Sequence, residues 1–157
     1  MEQLSEHFTD TELRVAGEDP HVVVNAKFLC MQILEPIREE FGALEIHSGY
    51  RNPAHNDAVG GVHGSFHEYE GDECACDFSP LAPGTNLQEV FDWLRFDSKI
   101  PFDHVILEHN PVTKEPACIH VQAHVLNKNR RPRGAYLRAT GAATSTSTVE
   151  CTQCMVT

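Results

Sequence analysis

Apolar residues recur at helical spacing in two long segments of the chain. In residues 24–41 the spacing predicts a helix with one face packed on a core. Its apolar positions are Val24, Phe28, Met31, Ile33, Leu34, Ile37 and Phe41. Pro36 lies inside this segment and is expected to kink or divide the helix, because proline removes an amide donor and clashes with the preceding turn. A second helix is predicted over residues 87–96, with Asn86 as its N-cap.

Two shorter helical segments are indicated by local signals. Thr9 and Glu12 have the spacing of a capping box, and Phe8 is placed to act as a hydrophobic staple. A short helix is therefore predicted to begin at Asp10. Residues 52–64 predict up to two turns of helix followed by a glycine-rich loop.

Four segments alternate apolar and polar residues, as strands with one buried face do. They cover residues 43–48, 74–78, 103–108 and 118–125. In the third segment, Val105 and Leu107 point to one face while Glu108 points to the other. In the last segment, His120 lies on the face opposite Ile119. Helices surrounding a small antiparallel sheet predict an α+β domain.

Composition limits the number of domains and the classes of partner. The chain has 157 residues, of which 41% are hydrophobic, and this is enough for one core of ordinary size. Its formal charge of −11 repels phosphate backbones, so we expect no nucleic-acid partner. No segment approaches the roughly 20 apolar residues that span a bilayer. The first residues show no signal peptide, so cytoplasmic synthesis and no membrane contact are expected.

The six cysteines are expected to be thiols or metal ligands, because nothing in the sequence indicates export. Cys74-x-Cys76 and Cys151-x-x-Cys154 could together form a four-thiolate zinc site. This interpretation is disfavoured, since the first pair lacks the Cys-x-x-Cys spacing and the second pair lies in a polar segment. Cys30 falls within a helical apolar pattern and is predicted to fill the core.

The C-terminal end of the chain differs in character from the rest. Residues 128–138 are basic and are expected to be solvated, and residues 139–157 are rich in Thr, Ser and Ala without periodicity. Such a stretch offers too little apolar surface to offset the entropy of ordering it, so a flexible tail is predicted over 139–157. The functional domain is then expected to cover residues 1–138.

A compact group of polar residues suits a metal site. Arg51, a Ser-x-His that ends at His67, and Asp77 lie close together in the sequence, and Glu108 and His120 follow on later strands. Two histidines and an aspartate are a mixed nitrogen and oxygen ligand set that suits Zn²⁺. Three protein ligands leave a fourth position for water, which is typical of a catalytic site. A nearby carboxylate is then a candidate base for that water.

Five motifs in a fixed order resemble one known family. They are SGYRNPAHNDAVGG, SFH, ACDF, HVILE and CIHVQ, within about residues 8–125. They are similar to motifs of the zinc D-alanyl-D-alanine carboxypeptidases and the related bacteriophage cell-wall peptidases, a family whose fold is shared with the hedgehog signalling domain. The resemblance implies a hedgehog/DD-peptidase-like fold and a zinc metallopeptidase that hydrolyses peptidoglycan stem peptides, as a carboxypeptidase or an endopeptidase. It also implies phage or bacterial origin, with release to the cell wall by a phage lysis system, as for an endolysin, or carriage in a virion.

The same resemblance implies a role for each candidate residue. The three positions that match the zinc ligands are His67, Asp77 and His120. Arg51 matches the arginine that holds a substrate carboxylate. Glu108, at the end of its predicted strand, matches the catalytic glutamate of hedgehog-like members.

One departure from the family pattern lies between the first two ligands. The family usually places the aspartate seven residues after the first histidine, whereas Asp77 lies ten residues after His67. The acidic loop 68–73 fills the interval. We expect this loop to be solvated and to bulge outward, with Ca²⁺ binding through its carboxylates as the less favoured interpretation.

A second departure concerns the catalytic base, and alternatives to catalysis stay open. Some relatives carry the base three residues before the final histidine, where this chain has Ala117. Glu108 is therefore the predicted base and Glu115 the reserve. The domain could instead bind zinc without turning over substrate, or be a structural part of a phage particle. His124 shares a strand face with His120 and is expected to be a surface residue rather than a fourth ligand. The sequence predicts no oligomeric state.

Overall fold

Four antiparallel strands form the centre of the computed structural model, which describes residues 1–125, 135–140 and 150–153. The strands are β1 (Leu44–Ser48), β2 (Glu73–Pro80), β3 (His104–His109) and β4 (Pro116–His124). Their order in the sheet is β1-β2-β4-β3, so β2 and β4 lie side by side in the middle. All four predicted strands and the α+β class are confirmed.

Two further strands extend the sheet beyond β3. β5 (Ala135–Thr140) runs parallel to β3, and β6 (Glu150–Gln153) runs antiparallel to β5. The sequence predicts neither strand, because both fall in the basic and Thr/Ser-rich segments that carry no clear alternation. The domain boundary at residue 138 and the flexible tail over 139–157 stay predictions.

The long N-terminal helix is divided, as expected, but by a π-helical turn. The three parts are α1 (Pro20–Leu29), the π turn (Cys30–Leu34) and α2 (Glu35–Phe41). Pro36 explains the division, because it has no N–H to donate to the carbonyl of Gln32 and its ring crowds that carbonyl. The wider π turn just before it accommodates the conflict. The helix begins earlier than predicted, at Pro20, because proline favours the first helical position.

Three shorter helical elements complete the described fold. They are α3 (Pro53–Ala58), a 3₁₀ helix (Phe66–Glu68) and α4 (Leu87–Phe96). The predicted bounds of α4 and its cap are confirmed, since the Asn86 side chain accepts the Gln88 N–H at 2.9 Å. The 3₁₀ helix was not predicted, because three residues are too few to show a periodicity.

The predicted helix at Asp10 is wrong, because residues 10–14 form only a turn. The capping contacts themselves are present: the Thr9 N–H donates to the Glu12 carboxylate at 2.9 Å, and the Glu12 N–H donates to Thr9 Oγ1 at 3.3 Å. Arg14 then takes up a left-handed backbone conformation, with φ of 61°. This conformation cannot continue a right-handed helix, so the turn stops there.

The sheet has one apolar face and one polar face. α1 packs against β2, and α4 packs against β3 and β4. The buried apolar side chains of the sheet include Leu44, Cys74, Cys76, Phe78, Val105, Leu107, Ile119, Val121 and Ala123. Burial of each larger one contributes roughly 1.5–3 kcal/mol. The polar face carries Asp77 and His120. No helix in the described part of the chain is long and apolar enough to cross a membrane.

The cysteines of the described core are thiols in apolar surroundings. Cys30, Cys74 and Cys76 are fully buried, which confirms the prediction for Cys30. Burial raises the pKa of all three thiols, and a raised pKa disfavours the thiolate form that binds zinc. Cys154, which the four-thiolate interpretation also needs, lies outside the described residues.

Candidate metal centre

A cleft of about 380 Å³ opens on the polar face of the sheet, beside the glycine-rich loop 59–65. The polar side chains that line it include Arg51, His67, Asp77, Glu108, His120 and Gln122. The fold therefore brings five of the six predicted site residues together. Glu115, the sixth, is not among the residues that line the cleft.

Three elements supply the cluster in this cleft. Asp77 of β2 and His120 of β4 are direct partners in the antiparallel register, so their side chains share one face of the sheet. His67 comes from the 3₁₀ helix, where the Ser65 side chain accepts the His67 N–H at 3.3 Å. The Ser-x-His spacing seen in the sequence is therefore a local cap that fixes the turn carrying His67.

Asp77 lies at the centre of the cluster. Its Oδ1 is 2.7 Å from His120 Nδ1, and its Oδ2 is 3.3 Å from His67 Nε2. One ligand atom from each of the three residues lies within 4.8 Å of the others, and no other such group occurs among the residues that the structure describes. Two imidazole nitrogens and a carboxylate oxygen are a donor set that suits Zn²⁺. The residues present therefore fit a metal ion.

The second ring nitrogen of each histidine has its own partner. His67 Nδ1 lies 2.7 Å from the Gly49 carbonyl oxygen, which can accept its N–H, so Nε2, which faces Asp77, is the nitrogen available to a metal. His120 Nε2 lies 3.0 Å from Gln122 Oε1, which leaves Nδ1 for the cluster in the same way. Partners of this kind fix the tautomer and orientation of metal-binding histidines. Gln122 lies two residues after His120, so strand alternation places it on the same face, but nothing in the sequence indicates this role.

Gly49 is required by a close backbone contact. A Cβ added to Gly49 would lie 2.5 Å from the Leu13 carbonyl oxygen, and the Tyr50 N–H donates to that same oxygen at 2.9 Å. Only glycine tolerates such an approach. The contact docks the N-terminal turn directly onto the backbone that orients His67.

Burial and mutual charge set the protonation of the cluster. Burial alone would raise the pKa of Asp77, but the hydrogen bonds and charges of His120 and His67 outweigh it and hold that pKa well below its usual value. Burial, aided by the charges of His120 and Arg51, lowers the pKa of His67, although Asp77 opposes the shift. Burial also opposes charge on His120, yet the hydrogen bond and charge of Asp77 raise its pKa. An ionised aspartate and a neutral His67 are forms that bind a metal.

Arg51 directs two of its nitrogens into the protein beside the cluster. Its Nη2 lies 3.2 Å from Asp77 Oδ2, and its Nε donates to Ser48 Oγ at 2.9 Å. These contacts fix the plane of the guanidinium at the edge of the cleft. Nη1 takes part in neither contact, so the guanidinium still has N–H groups that can donate to a ligand.

The two candidate bases lie in different places. Glu108 of β3 lines the cleft, and its Oε2 is 3.9 Å from Cys118 Sγ on β4. Burial raises the pKa of Glu108, and the charge of Asp77 raises it further. Glu115 is exposed in the turn between β3 and β4. Of the two candidate bases, Glu108 alone lies beside the His67, Asp77 and His120 cluster.

One family model matches more than half of the chain. Its description is peptidase M15, and it matches residues 6–113. The chain belongs to the peptidase M15 family. Membership supports a metallopeptidase. His120 lies beyond the matched residues, and the pairing of β4 with β2 brings it to the cluster. No curated protein sequence matches the chain.

In this M15 chain the first two residues of the loop between His67 and Asp77 are buried. Glu68 is only 5% exposed, and the Asn56 side-chain amide donates to its Oε1 at 2.7 Å. The expectation of a fully solvated acidic loop is therefore wrong for Glu68. Tyr69 is also buried, and its hydroxyl donates to a β2 carbonyl at 2.9 Å. This anchoring explains how the longer interval still delivers Asp77 to the cluster.

Proposed function

We propose that this chain is a zinc-dependent peptidase that hydrolyses peptidoglycan stem peptides, as a D,D-carboxypeptidase or an endopeptidase. The observation that carries the proposal is the convergence of His67, Asp77 and His120 beside Glu108 in one cleft. Membership of the M15 family supports a metallopeptidase. The zinc ion, the peptidoglycan substrate and the specificity for D-alanine are our additions.

The cluster residues would hold the metal through the atoms that face one another. These atoms are His67 Nε2, His120 Nδ1 and the Asp77 carboxylate. Zn²⁺ at such a site supplies a Lewis acid that polarises a carbonyl oxygen and lowers the pKa of water to about 7. Gly49 and Gln122 keep the two rings oriented by accepting their other N–H groups.

Glu108 is the proposed general base and acid. Its raised pKa, caused by burial and by the charge of Asp77, brings it closer to neutral pH, where one group can accept and return a proton. Glu108 takes a proton from the attacking water while the water oxygen bonds to the peptide carbonyl carbon. The C–N bond then breaks, and Glu108 passes the proton to the leaving amine.

Arg51 is proposed to select the bond that is cut. Its guanidinium fork can hold a substrate carboxylate through two parallel hydrogen bonds, and its contacts with Asp77 and Ser48 fix the distance of that carboxylate from the cluster. Val59, Val62 and Phe66 give the cleft an apolar wall. Such a wall suits the methyl groups of alanine residues beside the carboxylate.

Mass spectrometry of purified muropeptides tests the proposal. We expect the zinc-loaded wild type to shorten them: loss of the terminal D-alanine identifies a carboxypeptidase, and fragments from within the stem identify an endopeptidase. Glu108→Gln, treated in parallel, should leave most of the substrate intact. A zinc-loaded wild type that cuts no muropeptide overturns the enzyme proposal and favours a zinc-binding domain without turnover.

A further inference from the structure

A smaller cavity than the cleft also borders Arg51, and we call it the side cavity. It has a volume of about 170 Å³ and is lined by Arg14, Glu18, Tyr50, Arg51, Asn52 and His55. Arg51 lines this side cavity and the cleft alike. Because they share Arg51, the side cavity and the cleft are neighbours.

Arg14 is the cation that gives the side cavity its character. Its Nη1 lies 3.4 Å from His55 Nε2, and its Nη2 lies 3.4 Å from the His47 carbonyl oxygen. Neither partner is a carboxylate, and both distances are long. No carboxylate of the described residues forms an ion pair with Arg14, although the whole chain carries a net charge of −11. An unpaired guanidinium in a concave site favours an anionic ligand.

The only acidic residue in the lining, Glu18, forms no ion pair with Arg14. After burial, the charge of Glu18 and hydrogen bonding with its carboxylate raise the pKa of Tyr50. The two guanidinium groups of Arg14 and Arg51 therefore border one cavity that is lined by a single carboxylate. The size of the cavity suits a carboxylate group rather than a whole residue with a large side chain.

The backbone holds Arg14 in this place at a conformational cost. Its φ of 61° is left-handed, a conformation that costs free energy for residues other than glycine, asparagine and aspartate. The neighbouring Leu13 carbonyl accepts the Tyr50 N–H at 2.9 Å, and Gly49 lies too close to Leu13 for any side chain. The turn is thus fixed to the site backbone, and strain that surrounding contacts impose in this way is concentrated at functional positions.

We propose that the side cavity is a subsite for a second carboxylate of the peptide substrate, held by Arg14 next to the carboxylate that Arg51 holds. This inference rests on the proposed peptidase function. A substrate with both acids free would be selected over one in which the second acid is an amide, because an amide cannot accept two charge-assisted hydrogen bonds from a guanidinium. Arg14 would then determine specificity without touching the reacting bond.

Binding of matched peptides tests this subsite directly. The probes are an acidic stem peptide with both carboxylates free and the two peptides in which one carboxylate alone is amidated. Calorimetry with zinc-loaded Glu108→Gln protein avoids turnover. We expect one amidation to weaken binding by about 3–10-fold, the range for an exposed charge-assisted contact. Adding Arg14→Gln should remove that preference, and substitution and amidation together should weaken binding no more than either alone.

Arg38→Gln is the matched control, because Arg38 lies on α2 and lines neither cavity. It should retain the full preference for the free acid. The inference is overturned if Arg14→Gln and amidation weaken binding independently and additively. It is also overturned if the Glu108→Gln protein with Arg14 intact shows no preference between the peptides. Because this assay reads binding, it remains interpretable even if the wild type cuts no muropeptide, so failure of the subsite and failure of the proposed function are distinguishable.

A second variant separates binding from folding. Arg14→Gly relieves the left-handed conformation, so it should raise the melting temperature by about 2–4 °C while it abolishes the preference for the free acid. If Arg14 only supported the fold, Arg14→Gly would lower the melting temperature and leave the preference unchanged. That result would contradict the proposed subsite.

Discussion

Two histidines on the same face of β4 have similar first neighbours and different chemistry. His120 Nδ1 lies 2.7 Å from an oxygen of Asp77, and His124 Nδ1 lies 2.6 Å from an oxygen of Asp103. We call these two groups the inner end and the outer end of the polar face. An aspartate beside a histidine is therefore common to both ends and does not by itself indicate a metal site.

The other neighbours distinguish the two ends. At the inner end, His67 adds a third ligand atom from a separate element. At the outer end, the ring packed against His124 is Phe66, with centroids 4.9 Å apart, and phenylalanine has no ligand atom. His124 Nε2 instead lies 3.7 Å from a Glu73 carboxylate oxygen. Phe66 and His67 are consecutive residues of the 3₁₀ helix. They thus make one end a candidate metal centre and leave the other with histidine–carboxylate contacts alone.

The largest expected effect separates chemistry from metal binding at the inner end. Glu108→Gln keeps the shape of the side chain but cannot accept a proton, so muropeptide hydrolysis should fall by about 10²–10⁴-fold while zinc content is unchanged. Rates and elemental analysis of the same preparation measure both. Glu115→Gln, in the exposed turn between β3 and β4, is the comparison. A near-normal rate in Glu108→Gln would assign the proton transfer to another group.

A smaller effect is expected from the residue that orients His120. Gln122→Leu removes the acceptor of the His120 Nε2–H, and loss of such a partner weakens metal binding by about 10–100-fold. Competition with a chromogenic chelator measures the zinc affinity. Asp103→Asn makes the matched change at the outer end, beside His124, and should leave zinc affinity unchanged. Equal losses in both variants would show that the two ends are not separate.

The smallest effect concerns the outer end and depends on pH. Burial raises the pKa of Glu73 from its ordinary value of 4.5, although His124 opposes the shift. The folded state therefore binds this proton more tightly than the unfolded state, so the contribution of Glu73 to stability is full below pH 4.5 and is lost as pH rises through the folded pKa. The contribution of Glu73 to the free energy of unfolding should differ by about 0.5 kcal/mol or less between low and high pH, because Glu73 and His124 are partly solvated.

Denaturant unfolding of metal-free wild type and Glu73→Gln at pH 4 and pH 7 measures this contribution. Relative to the variant, the wild type should be more stable at pH 4 than at pH 7. The opposite sign would mean that the ion pair with His124 outweighs burial.

The sequence predicted the strand residues of the inner end better than the loop residues around them. Alternation in β2, β3 and β4 placed Asp77, His120 and Glu108 on one face, because side-chain direction in a strand follows from position alone. The ring orientation of His67 could not be predicted, because it depends on a carbonyl that is distant in the chain. The same holds for Glu68, whose burial depends on Asn56.

The helical errors have local physical reasons. The spacing of Thr9 and Glu12 predicted a helix, and both capping contacts form, but docking of the turn onto Tyr50 leaves Arg14 left-handed and ends it. Pro36 predicted a break, whereas the form of the break, a π turn, depends on how α1 and α2 pack. Capping and proline signals therefore mark where a helix changes and do not give its length.

Metal analysis of the two β4 histidine variants tests the central claim most directly. After zinc loading and gel filtration, the wild type and His124→Ala should each carry about one zinc per chain, as expected for a single three-ligand site. His120→Ala should lose most of its zinc while it remains folded by circular dichroism. The account would be contradicted if His120→Ala retained wild-type zinc, or if Cys74→Ser lost it instead.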